Sequence, residues 1–306
     1  MSDESGLSVV GRRGPPVAKL PVLGTIRETY AFVLSNFAAL FGLTWLPALL
    51  IAVIDDVIVP AALPKEQPSY VSAAEFAAAV ELMAAVELIA RVCDLLLMAI
   101  MAVAVAQFVL GRRTTIRFVH FSIGQHEWRM FRGLLLLMLL VAFAIVLPVR
   151  TLADREFPVS IVAFAGVAFV SILVARAWFY LPLASVLSPN ARLRRSLRMS
   201  EGNTWRILAL LVVVMLPSIA ISFAETGYQL VAAGLSGSLN GLDDAVDFVL
   251  MERSSSIAPA LSPETLLAVL VNSIGSVLFW GFRVTAAGLA FRAHYPLPDT
   301  TAEAFA

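Results

Sequence analysis

The sequence predicts an all-α integral membrane protein: a bundle of six transmembrane helices in three hairpins, with short amphipathic helices on the cytoplasmic side. Composition is the first reason. Hydrophobic residues fill 59% of the 306 positions and charged residues only 14%, against roughly 25% charged residues in soluble domains. The mean hydropathy of +0.86 is typical of a chain whose main solvent is lipid. Little of the chain is therefore left for a soluble domain.

Six long apolar runs are the second reason. Each is close to the roughly 20 residues that a helix needs to cross the hydrocarbon core. Because lipid offers no hydrogen-bond partners, a continuous apolar run can satisfy its backbone there only as a helix. The predicted spans are residues 37–56, 88–110, 133–149, 159–181, 206–226 and 265–291. They form one membrane domain, residues 25–295, between a disordered cytoplasmic N-terminus, residues 1–24, and a disordered tail, residues 296–306.

The distribution of Lys and Arg is the third reason, and it predicts the orientation. Fifteen of these residues flank the spans on one side and four on the other, alternating loop by loop. Cytoplasmic loops carry the excess of Lys and Arg in membrane proteins. Both termini are therefore expected in the cytoplasm, and the protein is expected to be in a bacterial inner membrane. The net charge of zero gives no reason to expect nucleic acid as a partner.

Three segments before inward-to-outward spans are predicted to be amphipathic helices: residues 25–35, 114–131 and 188–201. In the last, Ser188 is the expected N-cap and Gly202 the expected stop. Leu193 and Leu197 share one face, and basic residues share the other. Such a helix is expected to lie in the membrane interface with its arginines at anionic lipid headgroups. The arginines are Arg192, Arg194, Arg195 and Arg198.

A weak internal repeat relates these segments. An interfacial helix, a junction rich in aromatic and amide side chains, and a span with a proline recur at about 80 to 95 residues. The prolines are Pro47, Pro148 and Pro217. A triplicated hairpin and three unrelated hairpins both account for this pattern.

Two segments carry a resemblance to a known family. Arg176–Pro182 reads RAWFYLP, and Leu193–Arg206 reads LRRSLRMSEGNTWR. Together they resemble the signature of bacterial six-helix membrane proteins of the glycerophosphoryl diester phosphodiesterase membrane-domain-like families. The resemblance would cover about residues 25–295 and implies the six-helix fold. The phosphodiesterase domain that gives the family its name has no counterpart in this chain, so the resemblance implies no catalysis.

Ionisable residues within the spans are candidates for function, because charges in a bilayer are expensive. Glu87, Arg91 and Asp94 lie at i, i+4 and i+7 on one helical face. They are interpreted as a structural ion-pair cluster near the outer boundary, with an outward-facing polar vestibule or a proton relay as alternatives. Arg176 and Arg283 lie toward the cytoplasmic ends of the fourth and sixth spans. They are expected to snorkel to lipid phosphates or to reach acidic or carbonyl partners, and an anion or lipid-headgroup site is the alternative.

Other motifs are given structural interpretations. The D-D-x-x-D sequence is expected to be the polar face of a surface helix, and two histidines with a neighbouring glutamate lack the spacing of a helical zinc site. Their residues are Asp243, Asp244, Asp247, His120, His126 and Glu127. The single cysteine, Cys93, is expected to be a small buried apolar residue. In the last span Gly281 and Gly288 share a face, which favours close helix packing over pore lining.

The predicted function follows from the basic segments that the sequence contains and from the catalytic residue sets that it lacks. The sequence offers no convergent acid, base, nucleophile or metal set, so no catalytic, cofactor or metal residue is assigned and the protein is predicted not to be an enzyme. It is expected to act through anionic lipids at the cytoplasmic face or through an unidentified membrane-protein partner. A permease or flippase-like transporter is the alternative.

Overall fold

A computed structural model describes residues 19–62, 73–112, 121–152, 157–187, 193–235 and 263–294, and these are helical almost throughout. The described helices are α1 (Val22–Ser35), α2 (Phe37–Val53), a π-helical segment (Ile54–Ile58), α3 (Val59–Ala62), α4 (Ala73–Val109), α5 (Gln125–Leu152), α6 (Phe157–Leu187), α7 (Leu193–Met199), α8 (Thr204–Leu235) and α9 (Pro263–His294). The predicted all-α fold class is confirmed in this coarse form.

Five helices among the described residues are long and apolar enough to cross a membrane. They are Phe37–Ala62, Glu81–Val109, Ala165–Leu187, Thr204–Ile221 and Thr265–Ala293. These five indicate a multi-pass membrane protein. The third predicted span, residues 133–149, lies in helix α5 but is not among the five. The first turns of α5 hold Glu127, Arg129 and Arg132, so the apolar part of its described residues is short.

Helix α9 is the centre of the bundle. It packs against α1, α2, α4, α6 and α8, and its residues 280–288 are all buried. Helix α4 supplies the facing core, because residues 99–106 are almost fully inaccessible and carry mostly small side chains. Small residues let helices approach closely in a membrane, where dispersion contacts replace the hydrophobic effect. The centre of the described bundle is therefore filled with apolar side chains.

Helix α8 shows how the bundle satisfies the backbone of a helix that contains a proline. A proline has no N–H, so it leaves the carbonyl four residues earlier without its helical partner. In α8, Pro217 frees the carbonyl of Val213, and the hydroxyl of Tyr30 on α1 donates a hydrogen bond to that oxygen at 2.9 Å. Burial raises the pKa of the Tyr30 phenol, so it remains a neutral donor. Helix α1 is thereby fixed to α8.

The N-terminal part of the domain begins earlier than predicted. Helix α1 starts at Val22, three residues before the predicted boundary, and Leu20 is already buried. The backbone N–H of Leu20 donates to Asn203 Oδ1 at 3.0 Å. The apolar side of α1 packs against the bundle through Ile26, Tyr30 and Val33. Bundle contacts therefore occupy part of the face that the sequence assigns to lipid.

A glycine with left-handed backbone follows each of two helices. Gly202 follows α7 with φ +75°, and Gly111 follows α4 with φ +71°. Left-handed backbone of this kind favours glycine, which has no Cβ. Helix α7 ends at Met199, and the predicted stop, Gly202, lies three residues further along the chain. The predicted cap at Ser188 lies outside the described residues.

The prediction for Cys93 is wrong: its side chain is exposed. Its neighbours in α4 explain the difference, because Asp94 faces the interior and Cys93 is one residue, about 100°, away from it around the helix. Large apolar side chains are exposed in the same way along other helices, among them Phe143, Phe169 and Phe223. Such a surface is what a lipid-facing bundle presents.

Candidate functional site

The ionisable residues of α4 are brought together with a second helix. The Arg91 guanidinium binds Glu87 Oε1 at 2.8 Å through Nε, and through Nη1 it binds Asp94 Oδ2 at 3.0 Å and Asp55 Oδ1 at 3.1 Å. The three residues that the sequence places on one helical face are thus one ion-pair cluster. Asp55 comes from the π-helical segment that follows α2.

A further contact joins the central helix to this region. Asn272 of α9 donates through Nδ2 to Asp56 Oδ2 at 2.8 Å. Neither Asp55, Asp56 nor Asn272 was assigned to the site from sequence. The only signal was the Asp55–Asp56 pair at the end of the first apolar run, since the distance of 216 residues between Asp56 and Asn272 hides their contact. We call Asp55, Asp56, Glu87, Arg91 and Asp94 the acidic cluster.

Burial changes sharply within the acidic cluster. The side chains of Glu87 and Arg91 are 50% and 46% exposed, whereas that of Asp94 is 2% exposed. At 1.5 Å per residue, Asp94 lies about 22 Å from Val109 and Arg91 about 27 Å, within a hydrocarbon core of roughly 30 Å. Asp94 Oδ1 is buried with no hydrogen-bond partner among the described residues. The cluster therefore extends from the polar boundary into the apolar interior.

Arg283, on α9, is enclosed by protein and does not reach the membrane surface. Its side chain has no exposed area, which is incompatible with the expected snorkelling to phosphates. Nη2 donates a hydrogen bond to the carbonyl of Trp178 in α6. Pro182 explains why that oxygen is available, because a proline leaves the carbonyl at i−4 unpaired. Of the partners considered from sequence, Arg283 contacts the backbone carbonyl.

Two indole rings surround the Arg283 guanidinium. Its Cζ lies 3.4 Å from the centroid of the Trp178 ring and 4.5 Å from that of Trp280. A cation over an aromatic face is stabilised by about 2 kcal/mol or more when desolvated. These contacts offset part of the cost of burying the charge. Nε and Nη1 are buried with no hydrogen-bond partner among the described residues.

Arg176 has a different role from Arg283 despite their similar depth. Its Nε donates to Ser200 Oγ at 2.9 Å and its Nη2 to the carbonyl of Leu197 at 3.4 Å. Ser196 of α7 donates to the carbonyl of Ala177 in α6. The two sequence segments that carry the family resemblance therefore pack against each other. In this structure their polar residues dock α7 onto α6.

Basic side chains cap helix ends at one end of the bundle, where α4, α6 and α9 terminate. Arg292 donates to the carbonyl of Val109, and Arg112 donates to that of Val186 at 2.9 Å. The last carbonyls of a helix have no partner within it and carry partial negative charge, so a cation there is favourable. We call this the basic end. Part of the Arg excess that predicts orientation thus has a structural role.

Helix α7 docks on α6 at Arg176 and Ala177, nine or more residues before the carbonyl of Val186 at the basic end, and its described arginines are on its outer side. Arg194, Arg195 and Arg198 are exposed, whereas Arg192 lies outside the described residues. Leu193 and Leu197 are half-buried and pack against the core of the bundle. The apolar face of α7 is thus engaged by protein, and its basic face is directed outward.

Potential metal ligands have other partners or lie elsewhere. Glu127 is buried and accepts a hydrogen bond from the backbone N–H of Gly124 at 3.0 Å, as the third residue of a capped helix does. His126 Nδ1 lies 2.9 Å from the carbonyl oxygen of Ser185. No group of three or more His, Cys, Asp and Glu residues within the described ranges could hold a metal ion. Asp243, Asp244 and Asp247 are outside those ranges, as is His120.

Comparisons with known protein families, with curated protein sequences and with solved structures found nothing that matches this chain. The resemblance to the six-helix family therefore stays a prediction. Fold and function are argued from the residues of this chain alone.

Proposed function

We propose that the protein is a non-catalytic integral membrane protein that binds anionic lipid headgroups, or a membrane-protein partner, through the exposed arginines of α7. One observation carries this proposal. The arginines Arg112, Arg176 and Arg292 are bound to backbone carbonyls or a serine, whereas Arg194, Arg195 and Arg198 are held on the outside of α7. A rigid helix that presents three exposed guanidinium groups suits phosphate recognition.

The placement of aromatic residues supports a membrane boundary at the same level. Trp128 and Trp205, at the starts of α5 and α8, are 47% and 75% exposed. Exposed tryptophans are enriched where hydrocarbon meets headgroups, because the indole has both apolar and polar parts. The α7 arginines lie seven to eleven residues before Trp205 in the chain. They would then be at the depth of lipid phosphates.

We also propose six spans with both termini in the cytoplasm of a bacterial inner membrane. Helix α5, which contains the third predicted span, would complete the set of six. It has 28 residues and packs against α4 and α6, and its polar first turns would lie in the interface. Reporter fusions after Arg113, after Arg195 and at the C-terminus should then report cytoplasm. Fusions near Lys65, Arg155 and Asp247 should report the outside. One inverted pair would contradict the six-span arrangement.

The lipid proposal is tested by replacing the three α7 arginines together. Purified wild type in nanodiscs of mixed phosphatidylglycerol and phosphatidylcholine should retain phosphatidylglycerol preferentially when it is transferred to detergent for native mass spectrometry. The triple variant R194Q/R195Q/R198Q should lose most of that preference, since each basic residue near an anionic surface contributes about 1 kcal/mol. Raising the salt concentration should weaken the wild-type preference, because screening shortens the Debye length.

The matched control changes the other face of the same helix. Leu193→Ala and Leu197→Ala remove side chains that pack against the core. They should lower thermal stability without altering the preference for phosphatidylglycerol over phosphatidylcholine. If the arginine variant keeps the wild-type preference, lipid binding at α7 is refuted. A protein partner, sought by crosslinking from position 195 in cells, would then be the remaining form of the proposal.

A transporter is the second candidate, and specific observations favour it. Asp94 and Arg283 are buried ionisable residues inside candidate spans, and such residues often mark substrate or ion pathways. Against this, the centre of the bundle between them is filled by small apolar side chains of α4 and α9. Flux of a substrate through proteoliposomes that is lost in Asp94→Asn would favour transport over the lipid-binding proposal.

A further inference from the structure

The guanidinium of Arg283 has hydrogen-bonding capacity that its surroundings do not use. An arginine side chain carries five N–H groups and remains protonated inside proteins. Nη2 donates to the Trp178 carbonyl. Nε and Nη1, which carry three N–H groups between them, are buried and have no hydrogen-bond partner in the described part of the chain. The side chain has no exposed area.

The charge of Arg283 also has no carboxylate beside it among the described residues. The ion pairs that the structure describes are all made by Arg91, in the acidic cluster. Trp178 and Trp280 attract the cation through their ring faces. The two rings are inclined at 75° to each other, so the planar guanidinium can lie flat on only one of them, and an N–H group directed at the other ring makes a contact weaker than a conventional hydrogen bond. A buried cation whose N–H groups have no acceptor would be stabilised by an anion that accepts their hydrogen bonds.

The position of Arg283 limits the kind of anion. Its guanidinium contacts the carbonyl of Trp178, and Ser196 of α7 contacts the carbonyl of the preceding residue, Ala177, so the charge lies at the level of α7. The Arg283 side chain is nevertheless fully enclosed by protein, so a lipid headgroup outside the bundle does not contact it. Residues around Arg283 on α9 are buried and mostly small or apolar. A compact monovalent anion suits this environment better than a multiply charged oxyanion.

Trp178 covers one face of the Arg283 guanidinium. Trp178 is only half-buried, whereas the guanidinium beneath its ring is fully buried. The indole is therefore the layer between the charge and the outside of the bundle. A small ion that reaches the guanidinium from that side would require the indole to move.

We propose that Arg283 forms an internal binding site for a small inorganic anion of the halide class, with Nε and Nη1 as its donors and Trp178 as its cover. The site differs from the lipid-binding face of α7 in location, in ligand and in the residues that form it. It does not depend on that proposed function.

The proposal is tested with chloride as the probe. Wild type in a neutral detergent is melted at constant ionic strength while sodium gluconate is replaced by sodium chloride. The Tm should rise and then level off with chloride, because a ligand that binds only the folded state stabilises it by mass action. Bromide should act likewise. Arg283→Gln should abolish this dependence, whereas Arg292→Gln, on the same helix, should keep it.

A second measurement does not require the variant to fold. Crystals of wild type grown in bromide should show an anomalous peak in contact with Nε and Nη1 of Arg283. Equal chloride responses in wild type and Arg283→Gln, or no bromide at this place, would overturn the proposal. A phospholipid that stays bound to wild type but is lost from Arg283→Gln in native mass spectrometry would also overturn it, because the anion would then be a lipid phosphate.

Discussion

Replacing Gly288 with alanine is expected to destabilise the bundle by about 1 to 3 kcal/mol, the usual effect of overpacking a well-filled core. An added Cβ would lie 2.5 Å from Val109 Cγ1 and 3.4 Å from Val109 Cβ. A β-branched side chain on a helix has one strongly preferred rotamer, so Val109 cannot move aside freely. Helices α4 and α9 would have to separate near the basic end of the bundle.

The matched control is Gly281→Ala, seven residues earlier on the same face of α9. There the nearest atom to an added Cβ is Leu40 Cδ1 at 3.7 Å, an ordinary contact. This variant should be as stable as wild type or slightly more stable, because alanine is the better helix former. Unfolding is measured by Tm in detergent and by titration with a denaturing detergent. The sequence gives both glycines the same packing role, and only the structure separates them.

A double variant identifies the cause. Gly288→Ala combined with Val109→Ala removes the methyl group against which the new Cβ would press. The pair should be more stable than the sum of the single effects predicts, with a coupling in the range of about 0.5 to 3 kcal/mol that contacting residues show. If the two effects simply add, the close approach at Gly288 is not what limits substitution.

The coarse fold could be predicted because it depends on local composition. An apolar run of about 20 residues in lipid has one way to satisfy its backbone, so five of the predicted spans overlap candidate membrane helices of the structure. The boundaries depend on more distant contacts. Helix α4 begins at Ala73, fifteen residues before the predicted span, and its 37 residues exceed a bilayer crossing. The ion pair between Glu87 and Arg91 joins the last residue of this extension to the predicted span.

The candidate site could be predicted only where its residues share one helix. Glu87, Arg91 and Asp94 are related by helical periodicity, and the structure places them together. Periodicity does not indicate which face is buried, so Asp94 was expected to be near water and is instead 2% exposed. The sequence does not indicate which carbonyl Arg283 contacts. The carbonyl of Trp178 is available because Pro182, on another helix, has no N–H to donate to it.

Burial of Asp94 determines the expected effect of the second substitution, Arg91→Ala. An ion pair between exposed residues contributes about 0 to 1 kcal/mol. Removing one partner of a fully buried pair costs about 3 to 5 kcal/mol, because the other charge is left uncompensated. Arg91 is half-exposed and its attraction is partly screened by solvent. The loss should therefore lie between these limits, at roughly 2 kcal/mol, measured as the change in unfolding free energy in mixed micelles.

Glu87→Gln is the control within the same cluster. Glu87 is half-exposed and contacts Arg91 through a single 2.8 Å ion pair one helical turn away. Water can solvate either partner when this pair is lost, so the change should cost less than about 1 kcal/mol. If Glu87→Gln and Arg91→Ala each cost less than about 1 kcal/mol, the whole cluster is solvated.

The double variant R91A/D94N separates the loss of a contact from the stranding of a charge. With asparagine at position 94 the buried group is neutral, and removing the guanidinium no longer leaves an uncompensated carboxylate. R91A/D94N should therefore recover most of the stability that Arg91→Ala loses. If it is no more stable than Arg91→Ala, the role of Arg91 lies in its contact with Asp55. The acidic cluster would then hold the π-helical segment against α4, and the buried carboxylate of Asp94 would contribute little to the energetics of the fold.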